Sequence, residues 1–182
     1  MHLVTEETLV HQLKDKKTQS KAFEVLVHTY QKPLYWHIRR IVLNHDDTDD
    51  IIQNTFVKIY NNIGGFKGES KLYSWMYRIA TNEALSFLKS KSRLLGLDNE
   101  TLQQRMVNNL EADVYFEGDV IQLKLQKAIA SLPEKQKLVF NMKYFEALKY
   151  EEISEILDTT VGGLKASYHL AVKKIEASLK QD

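Results

Sequence analysis

The sequence predicts an all-α protein: two small helical domains joined by an acidic linker, the C-terminal one a helix-turn-helix. Three observations predict this. Only 7 Gly and 2 Pro among 182 residues leave few tight turns. Apolar residues recur at spacings of three and four along most of the chain, and no alternating stretch reads as a strand. Charge is also segregated. Residues 71–93 carry Lys71, Arg78, Lys89, Lys91 and Arg93 against Glu83 alone, residues 92–119 hold six acids and two bases, and residues 161–180 hold four lysines against Glu176. This pattern divides the chain into 1–92, an acidic linker at 93–118, and 119–182.

The hydrophobic content of 43% is enough for packed cores, and the chain has no Cys. Disulfides and thiolate zinc sites are therefore excluded, and a reducing, cytoplasmic setting fits. The first residues lack a basic start followed by an apolar run, so no signal peptide is expected. No apolar run approaches the ~18 residues of a membrane helix, so no membrane insertion is expected. The net charge of +1 argues against a protein that relies on bulk attraction to nucleic acid.

A first amphipathic helix is expected over 6–16, with Leu9, Val10 and Leu13 inward. The second runs from near Ser20 towards Asn44 on Phe23, Leu26, Val27, Tyr30, Leu34, Ile38, Ile41 and Val42, and Pro33 should kink it. In the next segment Asp46, Asp47 or Thr48 can cap a helix carrying IIQNTFVKIYNNI, and the acids suit the positive end of its dipole. A calcium loop opening at Asp46 needs Gly at its sixth position and Glu at its twelfth; Ile51 and Val57 stand there, so no metal is expected.

After the loop GGFKGES, Ser70 can cap a helix over 71–91. Its inward stripe is Leu72, Trp75, Met76, Ile79, Ala80, Ala84 and Leu88, and its outward face Tyr73, Tyr77, Arg78, Asn82, Lys89 and Lys91. Periodicity weakens over 92–118. Leu123, Leu125, Ala128, Ile129 and Leu132 then mark one helix, and Pro133 opens the next at a tolerated first-turn position.

The last part reads as two helices around a three-residue turn. Tyr150 to Leu157 places Ile153, Ile156 and Leu157 on one face. Asp158-Thr159-Thr160 breaks the period, and Thr160 can cap the final helix. That helix buries Leu164, Tyr168, Ala171, Val172 and Ile175 and presents Lys165, Ser167, His169, Lys173 and Lys174. One buried helix and one offered to a major groove is the layout of a DNA-reading helix-turn-helix. The alternative for this segment alone is an ordinary helical hairpin with a solvated basic face.

Chemistry for catalysis is not visible. The six His are scattered, and no paired metal spacing, phosphate loop or nucleophile motif occurs. No enzyme activity and no cofactor are expected. Residues 66–91 instead suit unpaired nucleic acid. An aromatic in a Gly-containing loop, Phe66, can stack on a base. The amide of Asn82 can bond a base edge. Lysines and arginines can neutralise phosphates. The competing reading of Phe66, Tyr73 and Tyr77 is packing.

Three ordered blocks carry a resemblance. DDTDDIIQNTFVKIY is similar, through Asp47, Asp50, Gln53 and Phe56, to a signature of the extracytoplasmic-function (ECF) group of bacterial RNA polymerase sigma factors. FKGESKLYSWMYRIATN resembles that family's next block through Phe66, Gly68, Ser70, Trp75, Tyr77, Ile79, Ala80 and Asn82. Residues 131–175 resemble its terminal domain through Leu132-Pro133, Glu152-Ile153, Gly162 and Lys165. The resemblance implies a region 2 domain at 1–92 and a region 4 domain at 119–182. It implies core RNA polymerase as a partner, bound through Asp49, Asp50, Gln53 and Phe56. Promoter DNA would be met twice. Phe66, Ser70 and Asn82 would capture a flipped base of the minus-ten element, with Arg78, Lys89 and Lys91 on phosphates. Lys165, Ser167, His169 and Lys173 would read the duplex minus-thirty-five element. An anti-sigma factor is a further expected partner.

The chain departs from the family in its last helix. Gly162-Gly163-Leu164-Lys165-Ala166-Ser167 replaces the common G-T-V-K-S-R, and Gly163 costs a helix about 1 kcal/mol relative to Ala. Two other readings stand beside the sigma factor: a DNA-binding regulator independent of polymerase, and a sigma-like decoy.

Overall fold

A computed structural model describes residues 5–112 and 120–181. The chain forms α1 (Glu6–Lys14), α2 (Gln19–Val42), α3 (His45–Asn62), α4 (Leu72–Leu95), α5 (Asn99–Asn108), α6 (Val120–Ala130), α7 (Glu134–Tyr144), α8 (Tyr150–Leu157) and α9 (Val161–Gln181), with short 3-10 turns at Ile63–Gly65 and Asn109–Ala112. The described residues contain no strand, and the all-α expectation holds.

Local chemistry sets most helix ends. Thr5 caps α1 by accepting from the Thr8 N–H. The cap of α3 is Asn44, whose side chain accepts from the Asp47 N–H at 2.8 Å. Asp46 and Asp47 lie in the first turn, where they suit the helix dipole without being the cap. Ser70 does not cap α4 either. The carboxylate of Glu6 accepts from the Leu72 N–H at 2.9 Å, so α1 supplies from a distance the acceptor that the local loop lacks. Gly96, at φ 63°, closes α4 with the Gly96 N–H on the Arg93 carbonyl and the Leu97 N–H on that of Ser92. That paired closure needs a left-handed residue, which glycine adopts at no steric cost. Pro33 lies inside α2, which runs through it from Gln19 to Val42.

The acidic segment is more ordered than its weak periodicity implied. The carboxylate of Asp98 caps α5, and Leu102, Met106 and Val107 bury themselves with Leu43 and Ala130. The remainder of the expected linker lies largely outside the described residues.

The helix-turn-helix has the expected bounds. Glu152 accepts from the Lys149 N–H at the start of α8, Asp158 takes the left-handed conformation at φ 49°, and Thr160 accepts from the Gly163 N–H. A Cβ on Gly163 would stand 3.2 Å from the Thr160 hydroxyl oxygen. A side chain at Gly163 would therefore press on the Thr160 cap, which would have to give by a few tenths of an ångström.

The two halves share one core. Leu34, Ile38, Met76 and Ala80 from α2 and α4 pack in one cluster with Val139, Met142, Ile153 and Leu164 from α7–α9. A second cluster lies within the C-terminal half, formed by Ala128, Ile129, Leu132, Phe140, Ala171 and Ile175. The main seam sets α8 against α4, with α7 reaching α2.

Candidate functional site

Three surfaces carry the candidate residues. The first is a groove of about 730 Å³ between α2 and α3. Asp49, Gln53 and Phe56 line it from α3, together with Ile52 and Val57. The opposite wall is Val27, Gln31, Lys32 and Tyr35 of α2; the sequence reading had Val27 as an inward apolar position and missed the other three. Asp50 is exposed on the neighbouring face of α3. The ring of Phe56 is half-buried and meets Phe23 edge-on at 6.2 Å. Asp49 is paired one turn back with His45 at 3.3 Å and keeps 48% of its side chain exposed. The groove thus offers apolar walls edged by both a carboxylate, Asp49, and an ammonium, Lys32, the chemistry for an amphipathic helix.

The second surface is the loop before α4 together with α4. Here the structure corrects the sequence reading. Phe66 is not an exposed aromatic: it is 5% exposed and packs on Trp75 with ring centroids 5.3 Å apart. The Phe66 carbonyl accepts from Lys14 Nζ, which ties the loop to α1. Tyr77 does not face outward. It is buried between His37 (centroids 4.7 Å) and Tyr73 (4.2 Å), and burial raises both tyrosine hydroxyls above the usual phenol range. The reason is tertiary: the fold lays His37 of α2 against the Tyr77 ring, on a face that a lone helix would show to water.

Arg78 projects across the seam and donates to the backbone carbonyl of Glu155. Lys71 meets Glu152 at 3.0 Å across the same seam. The Glu152 carboxyl lies below the usual range, first because it accepts from the Lys149 N–H and then through Lys71. Asn82 is exposed but lines a cleft of about 420 Å³ shared with Arg78, Ile156, Asp158 and Thr159. Lys91 is paired with Asp47 at 2.5 Å, while Lys89 is exposed. Ser70 is half-buried and donates weakly to the Lys71 carbonyl at 3.4 Å.

The seam also holds a buried polar cluster that the sequence reading missed. Nδ1 of His37 lies 3.0 Å from the Glu146 carboxylate, and its Nε2 lies 2.8 Å from the Thr81 hydroxyl. Thr81 in turn donates to the Tyr77 carbonyl. Arg40 approaches Glu146 at 3.5 Å. Burial lowers the Arg40 guanidinium, with Glu146 opposing. The available signal was position, since His37 lies within the inward stripe Leu34, Ile38 and Ile41 of α2.

The third surface is α9. Lys165, His169 and Lys173 are exposed and Ser167 is half-buried. The Lys165 ammonium stands 5.8 Å over the Tyr150 ring of α8. Among the described residues no helix is long and apolar enough to cross a membrane, and no group of three His, Cys, Asp or Glu could hold a metal.

The Sigma-70 region 2 family model matches residues 26–94, and the Sigma-70, region 4 model matches residues 122–175. The chain is 30% identical to the ECF RNA polymerase sigma-E factor of Haemophilus influenzae, over 97% of this chain and 96% of that one. The chain belongs to the ECF RNA polymerase sigma factors. It is also 33% identical to the ECF RNA polymerase sigma factor SigW of Bacillus subtilis, over 91% of this chain and 92% of that one.

The fold is shared with CnrH, solved in complex with the cytosolic domain of CnrY, at a TM-score of 0.73 and 19% identity over 97% of this chain and 98% of that one. It is also shared with the sigma factor RpoE solved with the anti-sigma factor NepR from Bartonella quintana, at a TM-score of 0.67 and 20% identity over 89% of this chain and 99% of that one. As an ECF sigma factor the protein joins core RNA polymerase, directs it to promoters and helps open the minus-ten element in transcription initiation. A stand-alone helix-turn-helix regulator is set aside by the region 2 match.

Proposed function

We propose that the closed arrangement is the resting form of this sigma factor, with its polymerase-binding surface open and the α4 part of its promoter-reading surface held against α8 through Arg78. One contrast carries the reading. The α2–α3 groove is unobstructed, whereas Arg78 is spent on the Glu155 carbonyl and Lys71 on Glu152, both across the seam.

Core polymerase then binds first, through Asp49, Gln53 and Phe56 in the groove and Asp50 beside it. The halves part, residues 1–92 acting as the region 2 domain and 119–182 as region 4, with 93–118 as the connector. Release of α8 from α4 frees Arg78 and the Asn82 cleft. Ser70 and Asn82 then receive a flipped base of the minus-ten element, with Arg78, Lys89 and Lys91 on its phosphates; Phe66 joins them once its loop also leaves Trp75 and α1, since neither contact lies in the seam. Flipping costs a few kcal/mol, which stacking offsets. Lys165 and His169 read the minus-thirty-five duplex, with Ser167 beside them and Lys173 nearer the backbone.

The protein works by binding energy alone, in the cytoplasm, and catalyses no step itself. A net charge of +1 suits a subunit that meets DNA only once polymerase supplies the affinity. An anti-sigma partner is part of the reading: an amphipathic helix seated in the groove would exclude polymerase.

The test is co-elution with core polymerase on a sizing column, for wild type and for Phe56→Ala with Asp50→Lys, followed by a promoter-opening assay. Wild type should co-elute and open a promoter, and the double variant should do neither while staying folded. Co-elution that ignores the double variant would move the binding surface elsewhere.

A further inference from the structure

The loop that precedes α4 is anchored at both ends by α1. Nζ of Lys14 donates to the Phe66 carbonyl at 2.5 Å, and the Glu6 carboxylate accepts from the Leu72 N–H at 2.9 Å. Leu9 and Leu13 seat α1 in the same core as Ile63 and Phe66. Both anchors lie within the N-terminal half. Parting the two halves therefore frees Arg78 and leaves the Phe66 loop where it is.

The two anchors differ in what can replace them. Glu6 is a helix cap on a backbone N–H, which DNA has no group to displace. Lys14 is exposed, and its partner is a neutral carbonyl. A phosphate oxygen carries charge and is the stronger acceptor for an ammonium. Among the described residues no carboxylate pairs with Lys14. The two nearest in sequence face backbone donors instead, Asp15 the Lys17 N–H at 3.0 Å and Glu6 the Leu72 N–H. Lys67 and Glu69 stand exposed at the loop tip and offset each other. Lys14 is thus the cation without a counter-charge at the base of the loop.

We infer that Lys14 is a phosphate contact for the minus-ten strand, and that exchanging the Phe66 carbonyl for a phosphate oxygen releases the loop. The incoming strand then frees its own pocket. The Phe66 ring stays packed on Trp75 until a phosphate has arrived, so it is not exposed before a base is there to stack on. That consequence rests on the base-capture reading above; the phosphate contact does not.

Two measurements test the two halves of the inference. The first uses the full chain assembled with core polymerase and an oligonucleotide carrying the non-template strand of one of the protein's own promoters. Log affinity against log salt should be shallower for Lys14→Met than for wild type by about 0.7, the share of one phosphate on a single strand. Lys14→Arg should keep the wild-type slope. Asn82→Ala removes a neutral group, so it should weaken binding with the slope unchanged. Binding by Asn82→Ala equal to wild type would sink the base-capture reading, while the Lys14 slope still decides the contact.

The second measurement uses the free protein. Trp36 and Trp75 are its two tryptophans, so Trp36→Phe leaves Trp75 as the sole reporter of the loop. Adding Lys14→Met should raise acrylamide quenching of Trp75 at least twofold at unchanged helicity, and Lys14→Arg should not. A salt slope equal to wild type, or Trp75 quenching that ignores Lys14→Met, would overturn the inference.

Discussion

Glu146, in the turn between α7 and α8, meets His37 of α2 at 3.0 Å in a site where both side chains are buried. The two residues are far apart in sequence and belong to different sigma regions. The contact therefore exists only while region 4 rests on region 2. Thr81 on the other ring nitrogen and Arg40 on the carboxylate complete the cluster. Removing one partner of a buried polar pair costs far more than the pair's net worth, because the other is left desolvated and alone.

Glu146→Gln should accordingly weaken closure by roughly 3 kcal/mol, the penalty of a buried pair broken on one side. The check is hydrodynamic radius together with helicity. The variant should be larger than wild type at equal helix content. An unchanged radius would mean that the apolar part of the seam suffices alone.

The α4 start makes a prediction separate from function. Glu6 accepts from the Leu72 N–H, a capping bond supplied by α1. Glu6→Ala removes it, and the loss should fall in the range of about 0.5–2 kcal/mol seen for helix caps. Thermal unfolding should show a lower midpoint. Ser70→Ala, whose hydroxyl caps nothing, should leave the midpoint close to wild type.

Stability against pH depends on Lys137, lowered by burial from 10.5 to about 8. Between those values the unfolded or opened chain binds more protons than the closed one, so closure strengthens as pH rises through this window and is flat below it. The shift corresponds to about 3 kcal/mol at most. Tyr73 and Tyr77, raised by burial, act in the opposite direction above their ordinary range. Chemical denaturation at about pH 7, 8 and 9.5 should show the gain, and Lys137→Met should flatten it.

Lys165→Ala should lower transcription from the protein's own promoters while leaving co-elution with core polymerase intact. Lys165 is exposed on α9 and makes no contact with the groove. Promoter strength and choice equal to wild type would remove it from DNA reading.

Much of this molecule was legible in the sequence, and the illegible part has a common cause. Helix periodicity gave α8 its observed bounds, because Asp158 and Thr160 are local punctuation. The caps of α3 and α4 were misplaced by one or more residues; for α4 the acceptor, Glu6, is remote in the chain and no local pattern points to it. Tyr77 looked outward because a single helix face says nothing about a neighbour, here His37 of α2, that the fold lays against it. His37 looked idle because its partners, Thr81 and Glu146, are brought to it only by the fold. The groove was half legible: its α3 wall carries a recognisable motif, while its α2 wall is an ordinary amphipathic stripe.

The central claim is that the two halves are closed when the protein is free and part when it meets polymerase. Because the chain has no Cys, spin labels can be placed at Ser90→Cys on α4 and Lys174→Cys on α9, both exposed sites outside the seam's contacts. The distance distribution between them should be measured for the free protein and after addition of core polymerase. A single narrow distance that lengthens on binding is the predicted result. A broad distribution in the free protein, or a narrow one that core polymerase leaves unchanged, would contradict it.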